Sequence, residues 1–423
     1  MPDHPLRSSV LANGLLLVTE QLPHVRSVCL GLAFRVGGRD DPESLAGLCH
    51  LNEHMVFKGT ADMDARAISF AAESLGAELN AFTDKELTCF YGRFPSDQQV
   101  RVTGLLAEIV GRPAFDPDEL EKEKGVIAEE IRSSDEDPDS MTFNLVFEAL
   151  YGRHPMGLPI NGTVESVGRL EPAFLRRIYP EWYHVGTGVV AAAGDVRHEE
   201  LAATLERNFA GWPKLAPQER TRPVPLPANC RVQTRKDLSQ VYLCLTMPAF
   251  AYSDPRRHAL AVLNTAFGGG LSSRLFQRLR ETEGLVYSVS SFAELFEDSG
   301  LFGIYFVTDA RKLARCVEVL REEIARVRRE KLSPEEFERA HNMTRSSMLL
   351  ALESTTSRML RLARMHHLLG RVATVDETLE RLNRLTLDEV NGLVDEVFCS
   401  PGFHAGSVGP VAEDELAALL GKA

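Results

Sequence analysis

The chain has few cysteines and no pattern among them: Cys29, Cys49, Cys89, Cys230, Cys244, Cys316 and Cys399 are odd in number, scattered and never in C-x-x-C spacing. Such usage argues against a disulfide framework and fits reduced thiols in a cytoplasmic-type compartment. No apolar run approaches the ~20 residues that cross a bilayer, so no membrane association is expected. A surplus of positive charge is also missing: 47 Lys and Arg stand against 60 Asp and Glu, a net charge of −13. With no basic tract to offset it, nucleic acid is not an expected partner. The opening residues Met1-Pro2-Asp3-His4-Pro5 carry neither the basic and apolar regions of an export signal nor the Arg- and Ser-rich character of a transit peptide. The expected location is therefore the cytoplasm.

What is present is a globular composition, 44% hydrophobic and 25% charged, in a chain of 423 residues. That length exceeds one ordinary core and suggests two or three domains. Residues 212–228 hold five prolines and cannot sustain a helix or a central strand, so they read as a linker between 1–211 and 229–423. The two halves resemble each other. Phe115-Asp116-Pro117-Asp118-Glu119-Leu120-Glu121 matches Leu332-Ser333-Pro334-Glu335-Glu336-Phe337-Glu338 at an offset of 217, and each follows an amphipathic helix (98–111 and 310–329). Ala193-Gly194-Asp195-Val196 likewise resembles Val408-Gly409-Pro410-Val411.

Local signals fill in the first half. Asn13-Gly14 marks a hairpin tip, and Val28, Leu30, Leu32, Phe34 and Val36 alternate as in a half-buried strand. Helices are expected over 45–58, 65–75 and from Asp116-Pro117 to about Ser133, with strands near 77–83, 86–94 and 188–193. The fold class is α+β, with two homologous domains, each a mixed sheet with helices packed mainly on one face.

His50-Leu51-Asn52-Glu53-His54 is the stretch that carries chemistry. On a helix, residues i and i+4 share a face, so both imidazoles reach one ion. Glu53 stands beside them, within reach of a water held at that ion. The order H-x-x-E-H is that of the inverted zincins. Cys49 points about 100° away and reads as packing. A catalytic zinc takes three protein ligands, so one is still to be found. Glu123 and Glu130 lie seven residues apart on one helical face, with Glu129 about 100° off it. Spacing alone leaves the choice open. Glu130 is read as the ligand and Glu123 as an outer carboxylate that supports the site or handles protons. At the offset of 217 the motif falls on Phe267-Gly268-Gly269-Gly270-Leu271, so only the first half carries metal chemistry.

Beyond the motif, matching blocks run through the chain: His50 to Thr60, then Leu79-Asn80-Ala81-Phe82-Thr83 with Glu86, Thr88 and Tyr91, then Glu123 and Glu130. The second half adds Gly268-Gly269-Gly270-Leu271-Ser272-Ser273-Arg274-Leu275-Phe276, Arg280-Glu281 and Gly284-Leu285-Val286-Tyr287. In these blocks the chain resembles the pitrilysin/insulinase family of inverted zincins, especially the subfamily that includes the mitochondrial processing peptidases. The resemblance implies one Zn2+ per chain on His50, His54 and Glu130, with Glu53 as general base and Glu123 supporting catalysis. It also implies a substrate-pairing role for Asn80 on an edge strand, and a substrate-recognition pair in Arg280 and Tyr287. Asn52 replaces the aliphatic residue often found inside the motif, a change that removes no ligand.

The function expected is a zinc metalloendopeptidase that hydrolyses peptides or unfolded polypeptide segments, Glu53 activating the water. Relatives of this length imply a homodimer, or a heterodimer with a homologous subunit. A non-catalytic structural or partner subunit of a larger peptidase or respiratory assembly is the alternative, against which the intact ligands and base argue. A hydrolase of non-peptide amides would share the same chemistry.

Overall fold

The computed structural model describes residues 5–398 and 402–421; Cys399 and residues 1–4 lie outside the described residues. The first sheet holds β1 (Leu6–Val10), β2 (Leu16–Gln21), β3 (Ser27–Phe34), β4 (Glu78–Thr83), β5 (Thr88–Pro95) and β6 (Gly188–Gly194) in the order β1-β2-β6-β3-β5-β4. The second holds β7 (Cys230–Thr234), β8 (Gln240–Ala249), β9 (Val286–Leu295), β10 (Gly300–Asp309) and β11 (His404–Gly409) in the order β7-β11-β8-β10-β9. Both are mixed: β2 runs parallel to β6 and β7 parallel to β11, while the other pairs are antiparallel.

Strand for strand, β2-β6-β3-β5-β4 has the same order and directions as β7-β11-β8-β10-β9, so the repeat is a property of the fold. The constant offset is not. The helices opening at Pro117 and Pro334 are 217 apart, but β9 follows β4 by 208 (78 to 286). The counterpart of the motif helix α1 (Leu48–Val56) is the helix Arg257–Phe267, 209 residues later (48 to 257). Overlaying His50 to His54 on Phe267 to Leu271 therefore needs correction. Those residues run from the end of that helix into the loop beyond it, because insertions fall between the matched blocks.

Compactness divides the chain differently from a cut between contiguous halves. One unit comprises Met1–Ile131, Pro159–Thr221 and Leu350–Thr374; the other comprises Arg132–Leu158, Arg222–Leu349 and Val375–Ala423. Each thus contains a helix supplied by the opposite half of the sequence. In the first unit, Val28, Leu30, Leu32 and Phe34 of β3 face a core with α1, α2 (Ala65–Ser74), α3 (Gln99–Gly111) and α4 (Pro117–Glu136). The other face of β3 is not open to water, as alternation implied. Cys29 and Ala33, with Ala191 and Ala193 of β6, pack against Met359, Leu362 and Ala363 of the helix Thr355–Leu369. Small residues make this close approach feasible: a Cβ on Gly31 would lie 2.5 Å from Met359 Sδ. In the second unit α5 (Pro138–Tyr151) covers its sheet similarly, placing Val146 and Leu150 with Cys244 of β8 and Leu301 of β10.

Helix α1 turns Leu48, Leu51, Met55 and Val56 into the first core, and Asn52 is fully buried beside them. Among the described residues neither amide atom of Asn52 has a hydrogen-bond partner, a cost of about 1–3 kcal/mol.

Two stability predictions follow from this packing. Met359→Ala should destabilise the fold by about 2–5 kcal/mol by opening a cavity under the sheet, whereas Leu350→Ala, 72% exposed, should stay within about 0.5 kcal/mol; denaturant melts of both compare them directly. Asn52→Leu keeps the same branched skeleton and removes the unpaired amide, so it should raise the melting temperature; a lower one would show that the amide is satisfied.

Candidate metal centre

The motif helix is fixed at its start by a side chain nine residues before His50. Gly47, its N-cap, sits at φ +93°, a left-handed conformation suited to glycine. The buried Asp41 carboxylate accepts the N–H groups of Gly47 at 2.8 Å and Cys49 at 3.0 Å, capping α1. Burial pushes the Asp41 carboxyl up to about 7. With the apolar side of α1 held in the core, His50 and His54 project from the opposite side, their rings edge to face at 4.7 Å.

Helix α4 supplies the acids. Asp116 caps it by accepting the N–H groups of Asp118 at 2.9 Å and Glu119 at 3.1 Å. Leu120, Ile127 and Ile131 anchor one face in the core, and Glu123, 4% exposed, is drawn in with them. Nearly two turns beyond Glu123, Glu130 stays half-exposed, with Oε2 3.7 Å from Nε2 of both His50 and His54. Among the described residues, His50, His54 and Glu130 are the group of His, Cys, Asp and Glu side chains whose ligand atoms gather within 4.8 Å.

These three residues fit a divalent metal ion. Tetrahedral ligands at about 2.0–2.1 Å from an ion stand about 3.4 Å apart, a few tenths of an ångström from the two separations of 3.7 Å to Glu130. The hydrogen bonding agrees. Glu123 Oε2 lies 3.0 Å from His54 Nδ1, and a carboxylate only accepts, so Nδ1 donates to it and Nε2 is the ring atom turned towards Glu130. Burial, and His54 beside it, lower His50 to about 4, so it is a neutral imidazole at neutral pH. Among the described residues its Nδ1 has no hydrogen-bond partner, whereas His54 has a carboxylate behind it.

Glu53 lies on the same turn. Its carboxylate accepts a hydrogen bond from Thr83 Oγ1 at 2.5 Å, and burial raises it above the ordinary carboxylate range while Thr83 and His54 pull it down. Asn80 is exposed on β4, the terminal strand of its sheet, with Oδ1 accepting the neighbouring Ala81 N–H at 2.8 Å. Arg280 and Tyr287 belong to the second unit and adjoin each other there: the Arg280 guanidinium lies 4.9 Å from the Phe276 ring centre and 5.9 Å from that of Tyr287. Arg280 sits in a π-helical turn, Phe276–Thr282, an irregularity frequent at functional sites.

Three residues of the site carried no assigned role in the sequence reading. Lys58 donates to Glu123 Oε1 at 2.7 Å; its spacing, four residues after His54, is a signal that it shares the ligand face. Thr83 contacts Glu53 across a strand, and Asp41 caps α1 from a preceding loop. Neither has a local signature, since both act through tertiary contact.

Comparison with known proteins gives the family of the chain. The family model described as insulinase (peptidase family M16) matches residues 16–164, and the one described as the peptidase M16 inactive domain matches 169–344. An uncharacterized zinc protease of Bacillus subtilis is 34% identical over 91% of this chain and 94% of its own. One from Mycobacterium tuberculosis is 36% identical over 96% and 93%. A crystal structure of a peptidase M16 inactive domain from Pseudomonas fluorescens shares the fold at a TM-score of 0.88 and 22% identity, covering 96% of this chain and 98% of that one. A protease from Helicobacter pylori does so at 0.85 and 19%, covering 95% and 98%. Matched along more than nine-tenths of its length at about one-third identity, the chain belongs to the insulinase family of peptidases, M16.

Proposed function

We propose that this chain is a zinc-dependent endopeptidase acting on peptides or unfolded polypeptide segments. The observation that carries the reading is the convergence of His50, His54 and Glu130 on one point, with Glu53 beside them. Zinc is the ion because two imidazoles and one carboxylate are the ligand set of hydrolytic zinc sites and because the relatives are named zinc proteases. When bound, it supplies Lewis acidity that polarises a carbonyl and acidifies water. His54 is oriented for that task by Glu123, itself held by Lys58. Glu53 takes the proton of the attacking water and passes it to the leaving amine, with no covalent intermediate.

Peptides are favoured as substrates by the terminal position of β4. A sheet edge offers backbone groups to an extended chain, and Asn80 stands on that edge. The aromatic-flanked Arg280 with Tyr287 is the second recognition element. Because metal motif and recognition pair occur in one chain, the working form is a homodimer in which Arg280 and Tyr287 of one subunit serve the zinc site of the other.

Two experiments test this. Against a mixed peptide library, Glu53→Gln should retain zinc but lose about 10²–10⁴-fold in turnover, whereas His50→Ala should lose the metal itself, read by atomic absorption. A fully active Glu53→Gln would sink the mechanism. For the dimer, mixing Glu53→Gln with Arg280→Ala subunits should restore part of the activity; a verified mixed dimer without rescue would rule out action in trans.

A further inference from the structure

The contact between Thr83 and Glu53 has a built support behind it. Thr83 is the last residue of β4 and pairs with Thr88 across the β4–β5 hairpin. Beyond it the chain turns: Asp84 N–H donates to Leu87 O at 2.8 Å, and Asp84 Oδ1 accepts the N–H groups of Glu86 at 2.7 Å and Leu87 at 2.6 Å. This turn is fastened to the segment 36–40. Gly38 N–H donates to Asp84 O at 3.0 Å, Arg39 N–H to Lys85 O at 2.8 Å, and Thr88 Oγ1 to Val36 O at 2.9 Å. Side chains reinforce the fastening. The buried Glu86 carboxylate pairs with Arg39. Arg220 donates to Glu86 O at 2.9 Å and grips Asp40 through two hydrogen bonds of 2.9 and 2.6 Å.

We infer that Thr83 is a positioning residue for the general base, its hydroxyl holding one oxygen of Glu53 so that the other faces the water to be deprotonated. A glutamate side chain has three rotatable torsions, and a base acts efficiently only when its oxygen is held at the reacting proton. A hydroxyl suits the task because it orients the carboxylate without neutralising it, as a Lys or Arg at position 83 would. Because Thr83 closes a strand paired with β5 and leads directly into a turn fastened to the segment 36–40, its oxygen is a fixed reference point for a side chain that arrives from α1. This role rests on the hydrolase reading above and adds to it a determinant of turnover that is none of the metal ligands.

The test compares wild type, Thr83→Val, Thr83→Ala and Thr83→Ser for peptide kcat and KM, for zinc affinity by titration of the metal-free protein, and for melting temperature. Both hydroxyl-free variants should bind zinc as wild type does and keep KM within about twofold, while kcat falls about tenfold or more. Thr83→Ser should recover most of that loss. If kcat of an active wild type is matched by Thr83→Val or Thr83→Ala, the inference fails and the peptidase reading stands. The inference also fails if Thr83→Ser recovers nothing, or if zinc affinity falls together with kcat, because the threonine would then be structural. A zinc-loaded wild type that cleaves no peptide overturns the peptidase reading, and this role with it.

Discussion

A buried carboxylate holds the site together. Glu123 is 4% exposed, and a carboxyl group so placed is tolerated only with partners on its oxygens. Lys58 takes one oxygen and His54 the other, so a single residue of α4 ties down two side chains of the stretch that begins in α1. Lose that tie and the facing of the two helices is no longer specified at the point where Glu130 must meet both imidazoles. The interaction fixes a tautomer as well as a position, which is why the same contact serves folding and chemistry.

The two histidines are therefore not equivalent. His54 has a carboxylate behind its ring, whereas His50 is kept neutral mainly by burial and has no partner on Nδ1 among the described residues. A ligand oriented by a hydrogen-bonded acid is held more firmly than one oriented by packing alone. Glu53 is handled in a third way, by a neutral hydroxyl from β4. The apolar side of α1 completes the arrangement by burying four hydrophobic side chains that leave the helix no freedom to rotate.

At the level of the fold, both sheets meet the same problem. A sheet whose outer face carries small residues needs a cover, and in each unit the cover comes from the other half of the sequence: Thr355–Leu369 on the first sheet and α5 on the second. Cys29, Gly31, Ala33, Ala191 and Ala193 leave room for a helix to lie close against the strands. Alternation in β3 pointed correctly to Val28, Leu30, Leu32 and Phe34 as the inner face, but an intervening face of small residues gives no sign of being buried.

By itself the sequence determined what depends on near neighbours. The i, i+4 spacing puts His50 and His54 on one face, the seven-residue spacing does the same for Glu123 and Glu130, and the starts of α3 and α4 and the bounds of β4 and β6 lay within a few residues of expectation. The repeat was legible too, although its constant offset was not real, since insertions leave no mark on matched blocks. Tertiary structure alone decided that α4 presents Glu130 to both imidazoles, that Thr83 reaches Glu53 and Asp41 caps α1, and that each sheet borrows a helix from the other half. Periodicity reports which way a side chain points from its own element. It carries no information about what stands opposite, because that is settled by the packing of surfaces distant in the chain.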